Sequence, residues 1–371
     1  MDRWEIAAGW VNGYERLPLP RGVPADPRWV LDRILLTHLQ RTPCLVAFSG
    51  GRDSSSLLAA AVALARREGL PLPVPITLRY PEAPESEESA WQDAVLTHLG
   101  VTERIVLTVR GEHDAVGPIA TAVLRRHGLV WPPNFTPTWR MMDAARGGSL
   151  LTGEGGDEVF GLKRITPLTK VLGSRGRVPA SVYADAVRAV APARVRRRAA
   201  MRRRYRRPWL RPEAEAVLAE RDAADAAAYA LHAGRHGWQF TTRRCATVSY
   251  RTVRALGSEV DCAYLQTFAE PEFVAAMAGA AGFWGWTGRT ATMRAVFGDL
   301  LPREVLERST KATFTDAVFT ERTRDFARSW TGRGIDEELV DAAALRENWL
   351  SPEPHAPSMT LLQQAWLASG G

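Results

Sequence analysis

Lysine is nearly absent. The chain has three lysines, Lys163, Lys170 and Lys311, among 48 basic residues, so arginine carries almost all of its positive charge. Cysteine is as scarce. Cys44, Cys245 and Cys262 form no C-x-x-C pair and no even set, which excludes a disulfide framework. The seven histidines are scattered and suggest no zinc site. Long apolar runs are missing too. The longest weakly polar stretch, 273–286, is too short and too glycine-rich to span a bilayer. The start, Met1-Asp2-Arg3-Trp4-Glu5, carries charges where a signal peptide needs an apolar region. These absences point to a reduced, cytoplasmic chain with no membrane role. No G-x-x-x-x-G-K-[ST] loop occurs, so any nucleotide is not held in the Walker manner.

What is present is a globular composition, 46% apolar and 24% charged, over 371 residues. That is enough for one large or two ordinary domains. Thirteen tryptophans suggest pockets or interfaces as well as core. The formal charge of +7 favours anionic partners such as ATP, pyrophosphate or RNA, although an arginine- and alanine-rich composition biases the charge by itself.

One stretch organises the rest: Ser49-Gly50-Gly51-Arg52-Asp53-Ser54-Ser55. The apolar run 44–48 before it predicts a buried parallel strand, and the Ala/Leu-rich run 57–66 after it predicts a helix ending in basic residues. A strand, two glycines, hydroxyls and a helix N-terminus make an anion cradle. Asp53 inside such a cradle would repel a bare phosphate, but it suits one chelated by a divalent cation. An ordinary strand–turn–helix has the same local pattern, so the stretch needs support from elsewhere.

Further strands are expected at 75–80, 104–109 and 149–152, with helices at about 27–40, 85–99 and 138–145. Alternation of this kind predicts a parallel, doubly wound sheet with ligands beyond the carboxyl ends of its strands. After the fourth strand comes Gly153-Glu154-Gly155-Gly156-Asp157-Glu158, with three glycines and three acids in six residues. Such packed carboxylates repel one another unless a cation or basic substrate is present. Beyond Gly161 strand signals nearly vanish and the chain reads as helices. The expected organisation is an N-terminal extension with one helix (1–40), an α/β core (41–165) and a helical part completing the active site (166–371). The basic segment 194–211 could meet RNA or an acidic peptide. Tyr205 and Trp209 are too few to stack bases, which favours a solvated arginine face or a lid. Lys311 lies in a small-residue setting after the run 301–308. It is either a surface lysine or a compact ammonium kept for close approach to a reacting phosphate.

At these stretches the chain resembles the synthetase domain of class B asparagine synthetases and their relatives, the β-lactam synthetases and lasso-peptide cyclases. The Ser-Gly-Gly-x-Asp-Ser signature is shared with all PP-loop ATP pyrophosphatases. Gly153–Glu158 with Val159-Phe160-Gly161 belongs to the asparagine synthetase branch. So does the ordered set Met293-Arg294, Leu301-Pro302, Arg308, Lys311 and Phe314. Gly257-Ser258-Glu259-Val260 with Tyr264-Leu265 is a partial match. The resemblance covers about residues 41–320 and implies the adenine nucleotide α-hydrolase-like fold. The chain also departs from the pattern. Asp2 stands where glutamine-hydrolysing members carry their catalytic cysteine, and only about forty residues precede the ATP loop, so the expected amine is not glutamine-derived. Arg52 replaces an apolar residue, and Gly161-Leu162-Lys163 replaces Gly-Gly-Tyr. Asp261 and Gln266 replace an arginine and an aspartate expected to face the acceptor, which argues against aspartate as substrate. The spacing around Lys311 is closer to the macrolactam-forming cyclases.

The resemblance implies an ATP-dependent, AMP-forming amide ligase of specialised metabolism, acting on a carboxylic acid or peptide and an amine, with a macrolactam as one possible product. Ser49, Gly50, Gly51, Ser54 and Ser55 would hold pyrophosphate, with Gly153 beside them. Asp53 and Asp157 would bind Mg2+. The backbones of Ala47 and Leu78 would receive adenine. Lys311 would sit on the α-phosphate, and Glu154 would take a proton from the amine. A precursor peptide or partner protein is a further expected partner; nucleic acid is not. Two alternatives stay open. A PP-loop tRNA-modifying enzyme is supported by the basic segment and opposed by the loop 153–158 and Lys311. A silent relative that only binds is opposed by the intact Asp53, Glu154, Asp157 and Lys311.

Overall fold

The computed structural model describes residues 1–81, 88–162, 164–173, 176, 178–308 and 318–371. Five strands, β1 (Cys44–Ala47), β2 (Val74–Arg79), β3 (Ile105–Thr108), β4 (Ser149–Thr152) and β5 (Ala263–Gln266), form one sheet in the order β3-β2-β1-β4-β5. Every pairing is parallel, with Leu45 opposite Val74 and Leu150, and Leu150 opposite Tyr264. This is the α/β fold with a parallel sheet and a largely helical C-terminal part that the sequence predicts.

β5 is the correction. The reading of 162–371 as helices alone missed it, and the sheet therefore draws a strand from beyond the 41–165 segment. Four residues, Ala-Tyr-Leu-Gln, are too short to show a period. They become a strand because the fully buried β4 offers an open edge, a non-local reason that no local pattern carries. The helix expected at 85–99 runs Ser89–Leu99; residues 85–87 of the expected span lie outside the described residues.

Strand side chains alternate between two apolar layers. Cys44, Val46, Leu151 and Leu265 pack with helices Pro27–Leu39, Arg52–Glu68, Ser89–Leu99 and Pro271–Ala281. Leu45, Ile76, Leu150 and Tyr264 face helices Pro118–His127, Thr136–Ala144 and Arg244–Glu259. Helix Arg52–Glu68 shows why the central helix holds its place. Its alanines and leucines are good helix formers, and Gly69 (φ +66°) closes its last turn in the left-handed conformation. Leu57 and Leu58 are fully buried, each worth ~1.5–3 kcal/mol relative to exposure.

A second core joins the two ends of the chain. Helix Arg3–Ala8 is capped reciprocally by Asp2 and Glu5, and packs with Trp209, Trp330, Trp349 and helix Met359–Ala368. The basic segment borders this layer. Arg207 is buried, bonding the Ala8 carbonyl (3.1 Å) and Asp222 (2.8 Å). Arg196 caps the Ala227 carbonyl (2.7 Å), and Arg197 pairs with Glu220. Several of its arginines therefore tie helices together from within, unlike the solvated face or lid expected from the sequence. Among the described residues, no helix is long and apolar enough to cross a membrane.

Candidate active site

The loops that follow β1 and β4, adjacent strands, press against each other at the carboxyl edge of the sheet. Gly50 (φ +82°) turns the first loop, and Gly51 begins helix Arg52–Glu68. The Ser49 and Ser54 hydroxyls lie 3.2 Å apart, and the Gly51 N–H donates to Ser49 Oγ (3.3 Å). Ser55 is not brought to this mouth. It is fully buried, and its hydroxyl has no hydrogen-bond partner among the described residues. Gln92 Nε2 donates to the Ser49 carbonyl (3.3 Å), and Arg308 Nη1 donates to the Gly50 carbonyl (2.8 Å). Arg308 also pairs with Glu88 and lies over the Trp91 ring, 5.0 Å from its centroid. The loop is thus clamped from outside before any ligand arrives.

Glycine lets the second loop come this close. A Cβ on Gly153 would stand 3.1 Å from the Asp53 carbonyl carbon and the Ser54 nitrogen. A Cβ on Gly156 would stand 2.5 Å from Asp53 Cγ, and one on Gly155 (φ +93°) would strike the backbone of Ala269 at 2.3 Å. Asp53 and Asp157 are brought together, and a residue that the motifs did not flag joins them. Arg289 pairs with Asp53 through one guanidinium nitrogen and with Asp157 through the other. Burial raises the Asp53 carboxyl above its ordinary range, against the pull of Arg289; neighbouring Asp157 adds to the rise. The sequence held one signal for Arg289. It is the first residue of helix Arg289–Phe297, where the helix dipole disfavours a cation. That signal is visible only once the helix start is known. Arg52 likewise opens its helix and reaches Thr290 Oγ1 at 3.4 Å.

Glu154 lies on the same loop and is solvent-exposed as a residue. Tyr264 donates to its Oε2 (3.1 Å), and Gln266 Nε2 donates to the same oxygen. Protein crowded around the carboxyl raises its pKa, the two donors oppose the rise, and nearby Glu158 adds to it. Gln266, a departure from the resembled pattern, is thus a partner of Glu154. Tyr264 is buried, its phenol held well above its ordinary pKa, so it donates as a neutral hydroxyl. Ala47 and Leu78 are half-buried near the ends of β1 and β2, packed on the same layer of the sheet. Lys311 lies outside the described residues. The chain on either side is fastened to the strand ends, by Arg308 at Gly50 and by Thr320 and Thr323, which donate to the buried Asp114 carboxylate after β3.

The donor set suits a cation that arrives with its own ligands. Asp53 Oδ1 is buried with no hydrogen-bond partner among the described residues, and the bare Cα of Gly156 keeps space open beside that carboxylate. No group of three or more candidate metal-ligating side chains exists among the described residues. Two carboxylates completed by phosphate oxygens and water are the habit of Mg2+ at nucleotide sites.

A parallel sheet with a glycine-hydroxyl cradle after one strand and a glycine-acid loop after its neighbour defines a nucleotide-binding α/β protein. The chain belongs to the asparagine synthase family, whose model, Asparagine synthase, matches residues 30–368. Membership makes it an ATP-dependent ligase of the amide-forming class, in a family whose enzymes use ATP, typically with Mg2+. No curated protein matches the chain.

Proposed function

We propose that the protein adenylates a substrate carboxylate with release of pyrophosphate, and that an amine not drawn from glutamine then displaces AMP to give an amide. The observation that carries this reading is the Asp53–Asp157 pair closed over the serine-glycine cradle by Gly153 and Gly156. In the first step a carboxylate oxygen attacks the α-phosphorus, and the bond to the pyrophosphate oxygen breaks. Ser49, Gly50, Gly51 and Ser54 cradle the leaving group at the N-terminus of helix Arg52–Glu68. Mg2+, held by Asp53 and Asp157, would neutralise charge on the leaving group. The ends of β1 and β2 at Ala47 and Leu78 receive the adenine. Lys311 supplies a compact cation to the α-phosphate.

In the second step the amine nitrogen attacks the acyl carbon, and AMP departs with its bridging oxygen. The amine must shed a proton, and Glu154 is set up to take it. Its raised pKa makes it a better base than an ordinary carboxylate, and Tyr264 and Gln266 fix its direction. The amine comes from the substrate itself, giving a macrolactam, or from a second molecule or partner protein. The paired arginines of the basic segment weigh against the tRNA-modifying alternative.

The test is pyrophosphate release from ATP and Mg2+ across a panel of carboxylic acids and peptides, with and without RNA. AMP formation should depend on an acid and not on RNA, and Lys311→Ala and Asp53→Asn should each abolish it in a folded protein. Near-normal turnover by either variant would refute the site assignment.

A further inference from the structure

We propose that Arg289 is the resident counter-ion of the Asp53–Asp157 pair, displaced as the metal enters, so that metal and pyrophosphate moiety bind together. The inference rests on the metal site proposed above.

The guanidinium bridges two chain segments, one nitrogen to each carboxylate. Arg52 adds a second guanidinium that attracts both carboxylates, so a bare divalent ion meets a pair whose charge is already matched and must first expel Arg289. With only two carboxylates on offer, such an ion would lose water and gain little. A metal that brings phosphates changes the balance, because the displaced guanidinium then has an anion to bind.

The direction of that exchange is built into the backbone. Arg289 opens helix Arg289–Phe297 directly after Gly288 (φ +115°), where the dipole favours an anion and opposes a cation. Arg52 opens helix Arg52–Glu68 in the same way, and the two guanidiniums are close enough to lower the Arg52 pKa, after the larger effect of burial. Two arginines at two helix N-termini stand against the helix dipoles, and a phosphate anion between them would relieve both. Arg289 Nε has no hydrogen-bond partner among the described residues, so the two ion pairs are the polar ties seen to hold its head. A side-chain rotation releases both while the loops stay put. Upon release the guanidinium meets phosphate oxygens, a bidentate match that lysine would not reproduce.

The probe is Mn2+, followed by electron paramagnetic resonance on the full chain, with and without inorganic pyrophosphate. In the wild type, pyrophosphate should strengthen Mn2+ binding strongly. Arg289→Gln should bind Mn2+ alone roughly tenfold more tightly, and the gain from pyrophosphate should shrink by a similar factor. Arg289→Lys keeps the charge but loses the two-armed bridge, and should fall between. A folded Arg289→Gln with unchanged or weaker Mn2+ affinity overturns the proposal. If that variant melts early, an unchanged Mn2+ affinity in Arg289→Lys overturns it instead. If neither wild type nor variant binds Mn2+ under either condition, the metal-site reading falls and this inference with it.

Discussion

Adding one methyl group at Gly156 separates the chemistry of the site from the stability of the fold. A Cβ there would lie 2.5 Å from Asp53 Cγ and 2.7 Å from its Oδ2, whereas non-bonded carbons rest at about 3.5 Å. The carboxylate must therefore retreat by about 1 Å. The three nearest atoms all belong to the Asp53 carboxylate, and Gly156 begins a short helix without a left-handed φ, so the backbone itself accepts alanine. Gly156→Ala should keep its melting temperature within a few degrees of the wild type, since lower unfolded-state entropy offsets part of the crowding. A 1 Å displacement of a metal-binding or positioning group costs about 100-fold in rate. Pyrophosphate release in the presence of a working acid substrate should fall by about that factor, with metal dependence shifted to higher Mg2+. The neighbouring Gly155→Ala gives the opposite profile. Its Cβ meets Ala269 backbone at 2.3 Å, and its φ of +93° is strained for alanine, so melting should drop before any kinetic effect can be isolated. Turnover of Gly156→Ala within threefold of wild type would mean that the Asp53 carboxylate is not held in place for catalysis.

Two further outcomes follow from hydrogen-bonded and buried titrating groups. Tyr264→Phe removes a donor that stabilises ionised Glu154, so the Glu154 pKa rises further and the acid limb of the pH–rate profile should move up by about one unit; an unmoved limb would remove Glu154 from the role of base. Burial pushes the His113 imidazole from 6.5 down to about 4. Between those values the unfolded chain binds a proton that the fold refuses, so stability falls as pH drops through this window, by about 3 kcal/mol in all. His113→Gln should flatten that acid slope in urea titrations, and an identical slope in both proteins would show that His113 does not carry it.

Four of the five strands and both loops of the site are legible in the sequence because each is a local pattern: an apolar run, then glycines with acids or hydroxyls. The parts that are not legible depend on contacts between distant segments. β5 exists because β4 offers it an edge. Arg289 matters because it meets Asp53 and Asp157 across 236 and 132 residues of chain. Gly156 reads as loop glycine until Asp53 is seen beneath it. Ser55 belongs to the hydroxyl cluster in sequence, but the helical turn rotates it into the core while Ser54 stays at the mouth. The basic segment advertises a surface for polyanions, yet Arg207 and Arg196 spend their charge on Asp222 and on backbone carbonyls inside the molecule.

The place of β5 also sets a timetable for the chain as it leaves the ribosome. β1 to β4 can assemble once residue 152 has emerged, but the outer edge of β4 finds its partner only when 263–266 follow. At ordinary elongation rates the intervening stretch takes on the order of 10 s to synthesise. For that time a fully buried strand of the finished protein presents unpaired backbone amides and carbonyls, the kind of edge that recruits other chains. Aggregation during expression should therefore depend on how quickly residues 153–262 are translated and on what shelters β4 meanwhile.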